Sequence, residues 1–227
     1  MSTDNANLNI LHRDSAIIVA VKPRGFLSEL SPGSDRSFPA LLLDALHVNE
    51  IFPVHRLDRD TEGIMVYALT KSAAAALSAS VANGLFDKEY DAWVHGVPDE
   101  PEGKLEDLLF RDTRSSKVFV VKRERKGVKR AVLNYRTIET VPVPGAGVNS
   151  LISHVRIRLE TGRTHQIRVQ FASRGMPVLG DRKYGAADNY PPIALAATSL
   201  LFPHPVNGEK MRFEIPFAYA IEQGTEC

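Results

Sequence analysis

From Ser153 to Leu159 the side chains alternate without a break: Val155, Ile157 and Leu159 fall on one face, His154, Arg156 and Arg158 on the other. A period of two is the mark of a strand with one face buried and one face wet. Other stretches share the strand character. Residues 9–12 and 17–22 gather β-branched side chains on either side of the turn-prone Arg13-Asp14-Ser15, and 64–69 and 89–95 read as further strands. Helical patterns are fewer. The leucines of 40–47 fit a short buried helix, and the alanine-dominated stretch 71–82 fits a second that stops near Asn83-Gly84. Past Gly103 the chain mixes basic and β-branched residues, which predicts hairpins up to a Pro/Gly loop at 141–148. Strands therefore predominate without regular strand-helix-strand alternation, so the expected class is α+β with a largely antiparallel sheet.

A chain of 227 residues holds one packed core comfortably, and its proline- and glycine-rich stretches are too short for domain linkers, so a single domain over 1–227 is expected. A hydrophobic share of 44% and a charged share of 24% exclude disordered, collagenous and coiled-coil classes. The opening residues lack a basic flank followed by an apolar segment, and no apolar run reaches the roughly 20 residues of a membrane helix. A cytoplasmic protein without membrane association is expected, monomeric by default for this size. The single cysteine, Cys227, allows no intrachain disulfide and no cysteine-based metal site. Net charge is only +1, but between Arg111 and Arg136 ten basic residues face two acidic ones, a local charge of +8. Such a segment, which includes Lys122, Arg123, Lys129 and Arg130, is either a solvated hairpin or a contact surface for a polyanion.

Four clusters carry chemical potential. His55-Arg56-Leu57-Asp58-Arg59-Asp60-Thr61-Glu62-Gly63 sets carboxylates among guanidiniums in a loop that feeds a strand. Gly162-Arg163-Thr164-His165-Gln166-Ile167-Arg168 is a basic turn entering a helix. Lys88-Glu89-Tyr90 puts a tyrosine behind a cation at a strand start, and Gly180-Asp181-Arg182-Lys183-Tyr184-Gly185 has turn glycines at both ends. Taken singly, each is also readable as a salt bridge, a helix start, an ordinary strand tyrosine or a tight loop.

In this order, from Ile10 to about Phe217, they resemble the RluA-type family of RNA pseudouridine synthases. The resemblance begins with the strand pair and Lys22-Pro23-Arg24-Gly25, passes through the four clusters, and ends at Phe202-x-His204-Pro205. It implies a mixed, bent sheet with flanking helices, and an enzyme that isomerises uridines in transfer or large-subunit ribosomal RNA. Two positions depart from the pattern: Glu62 stands where the family usually has serine, as also in a sister family acting on ribosomal RNA, and Ala196 stands where it has histidine, next to Leu195.

The implied roles follow residue by residue. Asp58 is the nucleophile, Arg163 the guanidinium that keeps it charged and oriented, and Tyr90 the ring that stacks on uracil and is placed for proton transfer. His55, Arg56, Arg59, Thr61, Lys88, Leu195, His165, Gln166 and Arg168, with Lys122, Arg123, Lys129 and Arg130, are the expected substrate contacts. Attack at C1′, attack at C6 and expulsion of the base through a glycal all remain open. The target base must leave its stack, so base flipping from a loop or bulge is expected. No metal or organic cofactor is called for, and His55, His154, His165 and His204 are expected to hydrogen bond or pack. The chain is expected to start at the catalytic core and to read its RNA without the small extra domain that larger relatives of the family carry. A non-catalytic RNA-binding protein on the same fold is the rival reading. An ordinary hydrolase is disfavoured by the absence of a G-x-S-x-G elbow.

Overall fold

The computed structural model describes residues 8–31, 34, 36–143, 150–188, 190 and 192–219; Cys227 and residues 144–148 of the expected Pro/Gly loop lie outside them. The described residues pack into two compact units, one of residues 8–88 with Ala197–Pro216 and one of Glu89–Ala196 with residues 217–219. Both are α+β, and the strand registers described within each are antiparallel. Among the described residues no helix is long and apolar enough to cross a membrane.

In the first unit, β1 (Ile10–Arg13) turns into β2 (Ile17–Lys22), which pairs along its whole length with β4 (Glu62–Ala68). Asp14 makes the turn: its Oδ1 accepts the N–H groups of Ala16 (2.6 Å) and Ile17 (2.9 Å), and its Oδ2 meets Nε2 of His12 (2.8 Å) and of His204 (3.0 Å). Burial alone would raise the Asp14 pKa, but these hydrogen bonds outweigh it and hold the carboxyl down at about 2. The histidine of Phe202-x-His204-Pro205 thus closes on a residue 190 positions earlier. Residues Gly63–Ala68 of β4 are all buried, which is why this strand reads as a continuous apolar run and not as an alternation.

Helices cover both faces of the β2-β4 ladder. On one, α2 (Lys71–Ala82) packs Ala73 and Leu77 against Ile17, Val19, Ile64 and Val66, joined by Leu200 and Phe202 of β10 (Leu195–Pro203). The Thr70 hydroxyl caps α2 by accepting from Ala73 N–H at 3.1 Å. On the other, α1 (Phe38–Leu46) sets Phe38 6.0 Å from the Tyr67 ring. The leucine pattern at 40–47 missed the first turn of α1, which starts two residues earlier because Ser37 caps it and Pro39 fits its opening positions. Two short elements escaped the sequence reading: β3 (Phe52–Pro53), only two residues long, and β11 (Lys210–Glu214), paired with β10.

The second unit is a meander of β5 (Asp87–His95), β6 (Glu102–Asp112), β7 (Lys117–Val121), β8 (Val128–Pro142) and β9 (Leu151–Leu159), in the spatial order β5-β9-β8-β6-β7. The alternation at 153–159 is realised in β9, where Val155 and Ile157 are fully buried and Arg156 and Arg158 exposed. Helix α3 (Gln166–Ala172) lies on one face of this sheet, with Val169 in one cluster with Leu109, Val118, Ala131 and Tyr184.

Candidate active site

Asp58 sits on a loop whose backbone is fastened from below. It opens a four-residue turn closed by Thr61 N–H on the Asp58 carbonyl (3.1 Å), and Thr61 itself is buried. One residue before, Leu57 is clasped by Ser28, whose hydroxyl donates to Leu57 O (2.8 Å) and accepts from Leu57 N–H (3.0 Å). One residue after, Arg59 exchanges two bonds with Gly25: Gly25 N–H donates to Arg59 O (2.9 Å) and Arg59 Nε to Gly25 O (3.2 Å). The Arg59 carbonyl also accepts from Lys22 Nζ (3.1 Å), which donates to Pro23 O (2.9 Å) and Phe26 O (2.9 Å) as well.

Lys22 is fully buried, and its three acceptors are all neutral carbonyls. Burial brings its pKa down to about 8, against the opposing pull of Asp60, Asp58 and Glu62. A cation under three nearby carboxylates gives the loop a favourable field, while the hydrogen bonds fix its backbone. Arg56 points outward to an exposed pair with Glu29 (3.1 Å), and Glu62 pairs with Arg24 at 2.9 Å. Gly63 ends the motif with φ +141°, where a Cβ would stand 2.3 Å from the Ala197 carbonyl oxygen, so a side chain there would force β4 off β10.

His55 solves a problem in the sheet. On the side of β4 away from β2, Phe52 and Pro53 of β3 pair with Ala68 and Tyr67, and the next ladder donor, Val66 N–H, goes to His55 Nε2 at 3.1 Å. The side chain thus continues a ladder that the backbone leaves. Because Nε2 accepts, the proton of the neutral ring resides on Nδ1. Desolvation, with Lys88 adding repulsion, lowers the His55 pKa to about 3, so the ring stays neutral. It packs on Phe86 (5.9 Å), over which Lys88 Nζ lies at 6.0 Å, and burial lowers the Lys88 pKa as well.

In the second unit, Tyr90 is a buried residue of β5 opposite Ile157 of β9, and Leu195 is buried at the start of β10. Arg163 is exposed on a loop wound around one side chain. Gln166 Oε1 accepts from Arg163 N–H (3.0 Å) and Thr161 Oγ1 (2.8 Å), while its Nε2 donates to Val132 O (3.0 Å). Arg163 Nε donates to the Arg130 carbonyl (3.0 Å), which ties the guanidinium to β8 and restrains its plane. His165 adopts the left-handed conformation (φ +50°) before α3, with its Nδ1 2.8 Å from the Tyr184 hydroxyl. That hydroxyl also accepts from Val118 N–H at 3.0 Å.

The structure separates residues that one motif placed together. Gln166 and Arg168 are buried and bonded to the protein itself. Arg168 is held by both oxygens of Asp181 (2.6 and 2.8 Å), with its guanidinium over the Tyr184 ring at 5.2 Å. The loop 180–185, expected only as a tight turn, therefore anchors α3 through Asp181. Lys122, Arg123 and Lys129 stand exposed on the β7-β8 connection and the start of β8, and Arg130 forms an exposed bidentate pair with Glu106 (2.6 and 2.8 Å). Lys22 and Ser28 were missed as loop supports. Lys22 lay in a quoted motif, but nothing in its spacing announces a buried ammonium, and Ser28 sits 29 residues from its partner Leu57.

Comparison with known proteins identifies the chain. Residues 16–173 match the RNA pseudouridylate synthase family. The chain is 35% identical over 231 residues to the ribosomal large subunit pseudouridine synthase D of Vibrio cholerae, covering 92% of this chain and 67% of that protein. It is 31% identical over 220 residues to an uncharacterized RNA pseudouridine synthase of Bacillus subtilis (strain 168), covering 92% and 69%. Its fold is that of the human RNA pseudouridylate synthase domain containing 1 structure, with a TM-score of 0.79 at 23% identity over 95% of this chain and 86% of that one. The chain belongs to the RNA pseudouridylate synthase family, a family of isomerases.

Proposed function

We propose that this enzyme isomerises specific uridines of large-subunit ribosomal RNA, with transfer RNA as the second candidate substrate, in the cytoplasm and through Asp58. The carrying observation is the construction of the 57–61 loop, which presents a half-buried carboxylate on a backbone pinned by Ser28, Gly25 and Lys22. Such fixing is what a nucleophile needs to be held in one attack geometry. Ribosomal RNA is favoured by the name of the Vibrio cholerae relative.

The reaction breaks the N1–C1′ bond, joins C5 to C1′, releases the C5 proton and leaves N1 to take up a proton, so that product and substrate are isomers. In this reading Asp58 opens the sequence, Arg163 favours its charged form with a guanidinium whose plane is already set, and Tyr90 stacks on the base and handles the proton. Arg56, Arg59, Lys122, Arg123, Lys129 and Arg130 contact phosphates, His55, Gln166 and Arg168 hold the loops, and both units serve one catalytic domain. The test is tritium release from RNA labelled at uridine C5, with ribosomal and transfer RNA prepared from cells lacking the gene. Release from ribosomal RNA by the wild type and none by Asp58→Ala is expected. Unchanged release by Asp58→Ala overturns the nucleophile, release from transfer RNA alone reassigns the substrate, and tight binding without release from either RNA returns the rival of a non-catalytic binder.

A further inference from the structure

We propose that the outer face of the β8-β6-β7 sheet is a stacking platform for unpaired nucleotides flanking the target, a proposal that rests on the synthase reading and adds a second contact for the same RNA. One face of these strands is ordinary: Leu109, Val118 and Ala131 cluster with Val169 of α3 and with Tyr184. The opposite face should be polar, because an antiparallel sheet covered on one side alternates apolar-in and polar-out. It is not. The register puts Phe119 of β7 directly opposite Phe110 of β6, which is opposite Val128 of β8; the next row on the same face is Val121, Leu108 and Arg130. Phe119 is 42% exposed.

Each ring carries a cation. The Arg125 guanidinium lies over Phe110, 4.5 Å from its centroid, and Lys117 Nζ is shared between the Phe119 ring (6.0 Å) and the Tyr184 ring (5.6 Å). Beyond them Arg114, Arg123 and Lys126 on the adjoining turns are all exposed. Flat aromatic rings on neighbouring strands, rimmed by cations, meet both demands of a single strand of nucleic acid: a π surface for the base faces and positive charge for the backbone. A duplex hides its base faces and would use only the rim. An acidic protein segment would also use the rim but has no requirement for two opposed rings, and the chain's family acts on RNA.

The experiment compares wild type with Phe119→Leu, which keeps an apolar side chain but removes the ring, and with Phe119→Trp, which reports stacking by fluorescence quenching against the Trp93 background. Because Phe119 is half in water, the variants should match wild type in thermal unfolding. Binding of a short oligouridylate is expected to weaken about 5- to 100-fold in Phe119→Leu. Its salt dependence should not change, because no charge is removed. Affinity for a blunt RNA duplex should also be unchanged, and the indole introduced by Phe119→Trp should be quenched by the oligouridylate. Equal oligouridylate affinity for Phe119→Leu and wild type overturns the proposal, and so does equal loss on the duplex. So does poly-glutamate binding that depends on Phe119 while oligouridylate binding does not. If wild type releases no tritium from any RNA yet the ring-dependent oligouridylate binding is found, the platform stands and the synthase reading fails.

Discussion

The loop around Asp58 and the β6-β7-β8 region are both rich in charge, but they are built on opposite plans. In the loop, charge rests on a buried frame: Lys22 has three carbonyl acceptors and no exposure, Ser28 grips both polar groups of Leu57, and His55 fills a missing rung of the sheet. In the hairpin region the backbone is held by ladder bonds, and cations such as Arg123 and Lys129 project into solvent, where they can follow a flexible partner. The first plan suits a group that must be placed to a fraction of an ångström. The second suits contacts that position a polyanion without reading its sequence. Damage to the frame should therefore appear in stability and turnover together, and damage to the hairpin in affinity and its salt dependence.

The largest effect is expected from Lys22→Met. Methionine fills the space but takes the ammonium donor from the carbonyls of Pro23 and Phe26 and leaves the Arg59 carbonyl only its bond from Gly25 N–H, and a buried acceptor left without its donor costs about 1–3 kcal/mol. Over the two orphaned acceptors a loss of about 2 kcal/mol or more in urea unfolding is expected. Turnover should fall more than RNA affinity, because Arg59 directly follows Asp58, the proposed nucleophile. A fully stable and active Lys22→Met protein would show that the frame does not hold the loop.

His55 sharpens the comparison through pH. Its folded-state pKa of about 3 lies below the ordinary value for histidine, so the unfolded chain binds the proton more tightly between the two. The stability it contributes is complete above about pH 6.5 and is lost as pH falls toward about 3. Protonation would also place an N–H against Val66 N–H. His55→Ala should cost about 1–3 kcal/mol at neutral pH by orphaning that donor. It should also flatten the acid limb of the stability profile relative to wild type, whereas His55→Gln, which supplies an acceptor, should recover part of the neutral-pH loss. An unchanged acid limb in His55→Ala would assign that limb to other groups, Asp14 first among them, whose depressed pKa of about 2 removes stability at the lower end, between about pH 4 and 2.

The sequence made the elements legible where local signals were strong. The 71–82 helix matches α2 at both ends because Thr70 and the alanine run are local features, and the β9 alternation survived because that sheet is covered on one side. β10 was passed over because its nearly continuous burial leaves no alternation, and β3 because two residues leave no pattern. For the candidate site, motif order pointed to the Asp58 and Arg163 loops, but not to which residue of each motif faces inward. Arg163 and Arg168 look equivalent in Gly162-Arg163-Thr164-His165-Gln166-Ile167-Arg168; only the fold shows that Arg168 is consumed by Asp181 while Arg163 reaches the surface. A buried ammonium bonded to carbonyls up to 37 residues away has no local signature at all.

The smallest stability effects, and the clearest contrast, belong to the hairpin cations. Exposed charges away from buried networks change stability by no more than about 0.5 kcal/mol when removed. Lys122→Ala, Arg123→Ala and Lys129→Ala should therefore melt with the wild type, yet removing one phosphate-neutralising cation should lower the slope of log affinity against log salt by about one. Arg130→Ala should differ from these three. Its guanidinium is already shared with Glu106, so RNA must compete with an existing ion pair, and the slope should change less per charge removed. Glu106→Gln supplies the complementary arm: freeing Arg130 should strengthen RNA binding and steepen the salt dependence, whereas equal slopes for Arg130→Ala and Lys129→Ala would mean that the pair opens freely when RNA arrives.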